Sequence, residues 1–346
     1  MKRKKRMLSY VHHSGLENRD FDSLRTEDIR FSPSGKRLIL APKDSLVLLE
    51  LESEFVPNHI VRHADLRSSG LAFPHGVDFI SEDIIVVANR DRWVTFFRLK
   101  PADDPEKWME MELIYEFKSK FFGPDKARRL SFGREIRCGP GSVRVRGDHL
   151  FICANYENTI TKHQFRVVDD QIEVSEGVLV ACEGLEVLDG IAVSNDGRWI
   201  AAADTGHHRI VVFSGQDYSQ VCELRDENLS APHGICFDPQ GRFLYVSDAG
   251  ERGLHVFESL DGTWETSMDS SSFSCRGIVE TAFLKTKESV PEEFRSLVGG
   301  IKGLDIDSTG RFVVGTCLNQ FLCFFDTRSN SLVKIDDRSP SEMGNL

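Results

Sequence analysis

The chain has 346 residues and a net charge of -11, with 40% hydrophobic and 28% charged residues. This acidic but otherwise ordinary globular balance argues against a general binder of nucleic acid or membrane surfaces, and no window approaches the roughly 18 apolar residues of a membrane span. The length allows about two domains, or one long closed β fold.

The chain opens on the basic cluster MKRKKR, followed by MLSYVHHSGLENRD, which lacks the apolar run and small-residue cleavage pattern of a secretory signal. Residues 1–25 therefore read as a solvated tail with a candidate closing strand, and residues 337–346 as a second tail. The eight cysteines are scattered, and Cys153, Cys236, Cys317 and Cys323 sit in apolar runs without CxxC spacing. Reduced, buried thiols in a cytoplasmic protein are expected.

Between the tails, period-2 apolar patterns bounded by Gly, Pro, Asn and Asp recur, with helical periodicity only around PADDPEKWMEMELI and SVPEEFRSLVG. Six related stretches follow one another. They are EDIRFSPSGKRLILAPKDSLVLLEL from Glu27, HGVDFISEDIIVVANRDRWVTFFRL from His75, GSVRVRGDHLFICANYENTITKHQF from Gly141, DGIAVSNDGRWIAAADTGHHRIVVF from Asp189, HGICFDPQGRFLYVSDAGERGLHVF from His233 and KGLDIDSTGRFVVGTCLNQFLCFF from Lys302. Each reads as strand, turn, strand, loop, strand. Gly35, Gly197, Gly241 and Gly310 mark a hairpin turn needing positive φ in four copies, and the other two copies are shorter and are read as lacking that glycine. A fourth strand follows several copies, and the outer strand of the last unit is left open between MLSYVHH and SLVKIDD. The expectation is an all-β, six-bladed β-propeller of four-stranded blades over residues 26–336, with two longer inserts, 101–139 and 260–300, on one face.

In such a blade the start of the first strand and the end of the second lie on the same face. The first-strand positions are Glu27, His75, Gly141, Asp189, His233 and Lys302; the second-strand ends are Pro42, Asn89, Asn155, Asp204, Asp248 and Cys317, always 14 or 15 residues later. Convergent polar groups at a central channel define the candidate binding site. Glu27, His75, Asp189 and His233 form a candidate N2O2 set for a divalent metal, zinc, manganese or iron in preference to calcium. Asp204 and Asp248 are candidate general bases, and Asn89, Asn155, Arg92, Arg252 and Lys302 candidate ligand contacts. The competing expectation is that Asn and Asp at strand ends simply satisfy backbone donors in the next turn. Phe31, Phe79, Phe213, Phe237, Phe257 and Phe324 recur at matching positions and are expected to pack between blades.

ADTGHHRIVVF, residues 203–213, resembles the NHL-repeat pattern, with His207 where that family has asparagine; SDAGERGLHVF and ANRDRWVTFF are weaker echoes. Glu27 and Asp248 of YVSD also match metal-binding positions of SMP-30/gluconolactonase-like propellers, although His233 replaces the family's P-N-G asparagine and the E-G-P context is missing. The two PHG triplets resemble those of peptide-amidating lyase propellers, which hold zinc through histidines. These resemblances imply a metal-dependent hydrolase or lyase acting on a small polar or anionic molecule. The alternative they imply is a non-catalytic NHL-type scaffold that binds a protein through inserts 101–139 and 260–300. No P-loop, GxGxxG, GxSxG or HExxH motif is present, so no organic cofactor is expected. Nucleic acid is a poor fit to the acidic balance, and a membrane role is not expected.

Overall fold

A computed structural model describes residues 9–11, 26–53, 56–105, 107–122, 128–131, 134–137, 139–169, 171–265, 268–274, 280–317 and 320–328. Alternating apolar residues and Gly-bearing turns fold into six antiparallel blades, each read from the channel outward. Blade 1 runs Thr26–Phe31, Arg37–Pro42, Leu46–Ser53, Val56–Leu66, and blade 2 Pro74–Phe79, Ile84–Asn89, Val94–Pro101, Met109–Phe117. Blade 3 runs Pro140–Arg146, His149–Ala154, Thr159–Val168, its outer edge shared by Gln171–Val174 and Val178–Ala181. Blade 4 runs Leu188–Val193, Trp199–Asp204, Arg209–Ser214, Gln220–Leu224, and blade 5 Pro232–Phe237, Phe243–Asp248, Gly253–Ser259, Met268–Ser274. Blade 6 runs Ile301–Ile306, Phe312–Cys317, Gln320–Asp326, and Ser9–Val11 supplies its outer strand. The N-terminal segment thus closes the ring; SLVKIDD lies outside the described residues.

The energetic unit is the seam between blades. Six apolar cores fill the six seams; between blades 6 and 1, for instance, Ile29, Leu38 and Leu40 meet Val314, Leu322 and Phe324. The neighbouring seams are built the same way, blade 2 on blade 1 and so on round the ring. Phe79, Phe213, Phe237, Phe257 and Phe324 are buried in these seams and Phe31 is partly buried, as expected of packing residues. At about 25 cal/mol per Å² of apolar surface buried, such seams are the main favourable term holding the ring together.

The turn glycines behave as their spacing requires. Gly35 and Gly197 have φ of 70° and 71°, and each donates its N–H to a serine carbonyl three residues back. The shorter hairpin of blade 3 does carry a turn glycine, Gly147 at φ 57°, because its two-residue loop also needs the left-handed region.

Other expectations are corrected. The stretch around PADDPEKWMEMELI is not helical: Met109–Phe117 pairs with Val94–Pro101 as an outer strand, half exposed, so its apolar pattern is irregular. The insert after blade 5 carries an α-helix, Glu280–Glu288, which its mixed composition does not signal, and a 3-10 turn, Glu292–Leu297, within SVPEEFRSLVG. Part of each insert is the fourth strand of the preceding blade, Met109–Phe117 and Met268–Ser274, so less chain than 101–139 and 260–300 is free to wall the channel. Both inserts return beside the second-strand ends: Gly139 lies against the carbonyls of Asn89 and Arg90, and Gly300 donates to Ala249 O at 2.9 Å. Among the described residues no helix is long and apolar enough to cross a membrane. The cysteines 153, 182, 222, 236 and 323 are free thiols.

Candidate metal centre

The register between first and second strands shifts in every blade at the same place, between Thr26 and Asp28, Pro74 and Gly76, Pro140 and Ser142, Leu188 and Gly190, Pro232 and Ile235, Ile301 and Leu304. Glu27, His75, Gly141, Asp189, His233 and Lys302 all fall within these bulges. A β-bulge adds a residue to one strand and re-aims its side chain, and here six bulges turn six residues toward one mouth. The residue after the bulge is often glycine, because the innermost strands nearly touch: a Cβ on Gly76 would lie 2.7 Å from Ser142 Cα, and one on Gly234 2.3 Å from Lys302 O. Hydroxyls on the second strands serve the displaced backbone. Ser247 Oγ accepts from Gly234 N–H at 2.8 Å and lies 2.9 Å from Lys302 O, and Thr316 Oγ1 accepts from Gly303 N–H at 3.2 Å.

Three of the four proposed ligands converge. One donor atom each from Glu27, His75 and His233 lies within 4.8 Å of the others, and all three residues are buried. Glu27 Oε2 is 3.4 Å from His75 Nε2 and 3.9 Å from His233 Nε2. Tetrahedral ligands at about 2.1 Å from a zinc ion stand about 3.4 Å apart, so the spacing suits such an ion after small adjustments. The two imidazoles face each other across the axis with centroids 5.4 Å apart. His75 Nδ1 lies 2.7 Å from Gly141 O, a contact that requires the proton on Nδ1 and leaves the Nε2 lone pair facing Glu27 and His233. That Nε2 is buried and without a hydrogen bond. Burial pushes His75 below the usual imidazole range, helped by Arg90, and pushes His233 down to about 3 against the opposing pull of Asp189. Both rings are neutral near pH 7, the form that ligates metals.

Asp189, the fourth proposed ligand, is drawn elsewhere. Its Oδ1 accepts from Arg90 Nη2 at 2.7 Å and from Asn155 Nδ2 at 2.6 Å. Burial raises its pKa, but the positive charges around it, His233 and His75 when protonated and Arg90 and Lys302 at neutral pH, outweigh burial and draw the carboxyl below its usual range. Arg90 reaches Asp189 because blade 3 offers Gly141, which has no side chain, at its ring position. Gly141 is itself required, since Asn155 Oδ1 sits 1.2 Å from where its Cβ would be. The Arg90 guanidinium lies 5.7 Å from the ring centres of both Phe73 and Tyr156. Phe73 adopts φ 56°, a strained conformation for a bulky residue, and sets its ring edge-on to His75 at 6.3 Å. Lys302 Nζ completes the mouth, 2.6 Å from Glu27 Oε2.

The other candidates are placed by their hydrogen bonds. Asp248 accepts from the backbone N–H groups of Ser230, Ala231, Gly250 and Glu251, which with His255 hold its carboxyl below the usual range despite burial. Asp204 accepts from Glu186 N–H and Arg209, with His207 Nδ1 3.0 Å away. Both carboxylates thus fasten loops, the role that the competing expectation gave to strand-end Asp and Asn. Asn89 is likewise satisfied by Ala72, Trp93 and Thr95. Arg92 is turned outward onto Glu116 and Ser69 O, and Arg252 lies over Phe283 of the insert. The arginine of the RDRW stretch that reaches the mouth is Arg90. Its signal was the vacancy at Gly141: a ring position without a side chain invites one from an adjoining loop.

No protein-family model matches the chain, and no curated protein matches it. One solved structure similar to the chain is described as "Crystal structure of Nidogen/Laminin Complex": it covers 71% of this chain and 80% of that one, at 12% identity and a TM-score of 0.48. The six-bladed architecture stands on the blade pairing in the chain itself.

Proposed function

We propose that the channel mouth is the divalent-metal site of a small-molecule hydrolase or lyase, with Glu27, His75 and His233 as ligands. The observation that carries this reading is His75. Its Nδ1 is fixed on a backbone carbonyl, and its buried Nε2 has no hydrogen bond while facing a carboxylate and a second neutral imidazole. An unsatisfied buried ring nitrogen is costly unless something binds it. Three protein ligands from His and Glu leave a coordination position for substrate or water, as in catalytic and not structural zinc sites. Bound there, a divalent ion supplies Lewis-acid polarisation of a substrate oxygen and activation of water.

The surrounding residues take the remaining roles. Asp189, outside the triad, holds Arg90 and Asn155 at the mouth, where the guanidinium faces the open side of the site. Lys302 offers an ammonium to a developing oxyanion. The lactonase-like and amidating-lyase-like resemblances agree with a metal in the channel of such a propeller, the NHL resemblance agrees with the scaffold alternative, and all leave the substrate open.

Metal analysis after reloading with Zn²⁺ or Mn²⁺ tests the reading. About one equivalent is expected in the native chain and far less in a His75→Ala, His233→Ala double variant. Equal and negligible metal in both overturns it and favours the scaffold reading. That second reading draws on Leu284 and Leu297, which are 47% and 38% exposed on the insert that returns beside the mouth.

A further inference from the structure

The charges of the mouth come in two matched sets. In blade order the ring reads acid, histidine, cation and again acid, histidine, cation: Glu27, His75 and Arg90 in the place left by Gly141, then Asp189, His233 and Lys302. Each carboxylate is already neutralised, Glu27 by Lys302 at 2.6 Å and Asp189 by Arg90 at 2.7 Å. With both histidines neutral, as ligands must be, the two negative and two positive charges among these six described side chains sum to zero. The charges one level deeper, Asp28, Arg30, Arg144 and Asp305, are engaged with one another.

A divalent ion on Glu27, His75 and His233 would therefore raise a neutral, buried ring to a charge of +2. It would also take from Lys302 the Glu27 oxygen with which it now pairs. A net double charge cannot stay buried uncompensated, because the desolvation cost falls on every unpaired ion. We propose that the mouth binds its metal together with a small dianion, and that the substrate is of this class: a compact molecule with two anionic oxygens able to reach the metal and Lys302. Entry is from the side of Asp189, Arg90 and Lys302, whose side chains are 11%, 9% and 13% exposed, whereas Glu27 and His75 are at 0% and 1%. The dianion supplies the missing charge, takes the open coordination position and gives Lys302 a new partner. This proposal rests on the metal reading above.

Linkage makes it measurable, since an anion that strengthens metal binding is itself bound more tightly in the presence of metal by the same factor. Calorimetric titration of the full chain with Mn²⁺ is compared alone, with malonate, with inorganic phosphate, and with neutral gluconolactone. Malonate or phosphate is expected to tighten Mn²⁺ binding at least about tenfold, within the usual range of coupling between sites, while the neutral lactone leaves it unchanged. Coupling by malonate alone assigns a dicarboxylate, and by phosphate alone a phosphate ester. A Lys302→Met variant removes one positive charge, so its Mn²⁺ binding is expected to be tighter without anion and the anion effect smaller. Metal binding that is equally strong in all four conditions overturns the dianion proposal and leaves the metal site standing. No binding to the native chain or to Lys302→Met in any condition overturns the metal reading, and the dianion proposal with it.

Discussion

One level below the mouth the channel wall divides into two unlike halves. The residues three positions after the bulged ones are Arg30, Asp78, Arg144, Ala192, Cys236 and Asp305, from blades 1 to 6 in order. Blades 6, 1, 2 and 3 present charges there, and these tie neighbouring blades together: Asp305 accepts from Phe31 N–H at 2.8 Å, Asp78 from Val145 N–H at 2.8 Å, and Asp28 from Val77 N–H at 3.1 Å. Arg30 donates to Ile29 O and to Leu304 O across the joint between first and last blades. Blades 4 and 5 offer only a methyl and a thiol, and among them the apolar seams hold the ring. The charged half contains the joint where the two ends of the chain meet, closed by the pairing of Ser9–Val11 with Gln320–Asp326. Directional bonds from buried charges supply register there that packing alone leaves open, a role for buried ion pairs known from other folds.

Breaking the charged half should cost most. Arg30→Ala leaves Asp305 buried without its guanidinium and Asp28 with Arg144 alone, and a loss of about 3–5 kcal/mol in unfolding free energy is expected from denaturant titration. If Arg30→Ala costs no more than an exposed substitution, the joint does not depend on that network.

The charged half should also show in the pH profile. Burial pushes the Asp78 carboxyl up to about 7, from an ordinary value of 3.8, against the pull of Arg30. The folded state then binds the extra proton, so this contribution is full below about pH 4 and is lost as pH rises through 7. Asp78→Asn is expected to flatten that part of the profile, read as urea midpoints between pH 4 and pH 8. His233 acts with the opposite sign: at about 3 when folded, it costs stability as pH falls below 6.5. A net profile that is unchanged in Asp78→Asn would place Asp78 outside the network.

The smallest effect is expected in the other half. Cys236→Ala removes one buried sulfur from the seam between blades 5 and 6 and should cost about 1 kcal/mol, as small core truncations do. Burial holds this thiol well above its ordinary range, so it should also resist alkylation in the folded chain. A Cys236→Ala loss as large as that of Arg30→Ala would erase the distinction between the halves.

Much of this was legible in the residues. Turn glycines, alternating apolar runs and a spacing of 14 or 15 residues set the blade count and named all six mouth positions, because these are local properties of strands and hairpins. The recurring glycine of His75-Gly76, Asp189-Gly190, His233-Gly234 and Lys302-Gly303 also carried the bulge, a signal read only once the strands were seen to touch. For Asp204 and Asp248, read as candidate bases, and Asn89, read as a candidate ligand contact, position on the right face did not reveal which lone pairs the neighbouring turn consumes.

Partner choice at the mouth belongs to the tertiary structure alone. Glu27 and Lys302 lie 275 residues apart, and Arg90 and Asp189 lie 99 apart. Which of six converging side chains pair, and which three are left to face one another, depends on ångström-scale reach between blades. No local pattern encodes that reach, so composition and period could assemble the ring but could not say that Arg90 takes Asp189 out of the metal set.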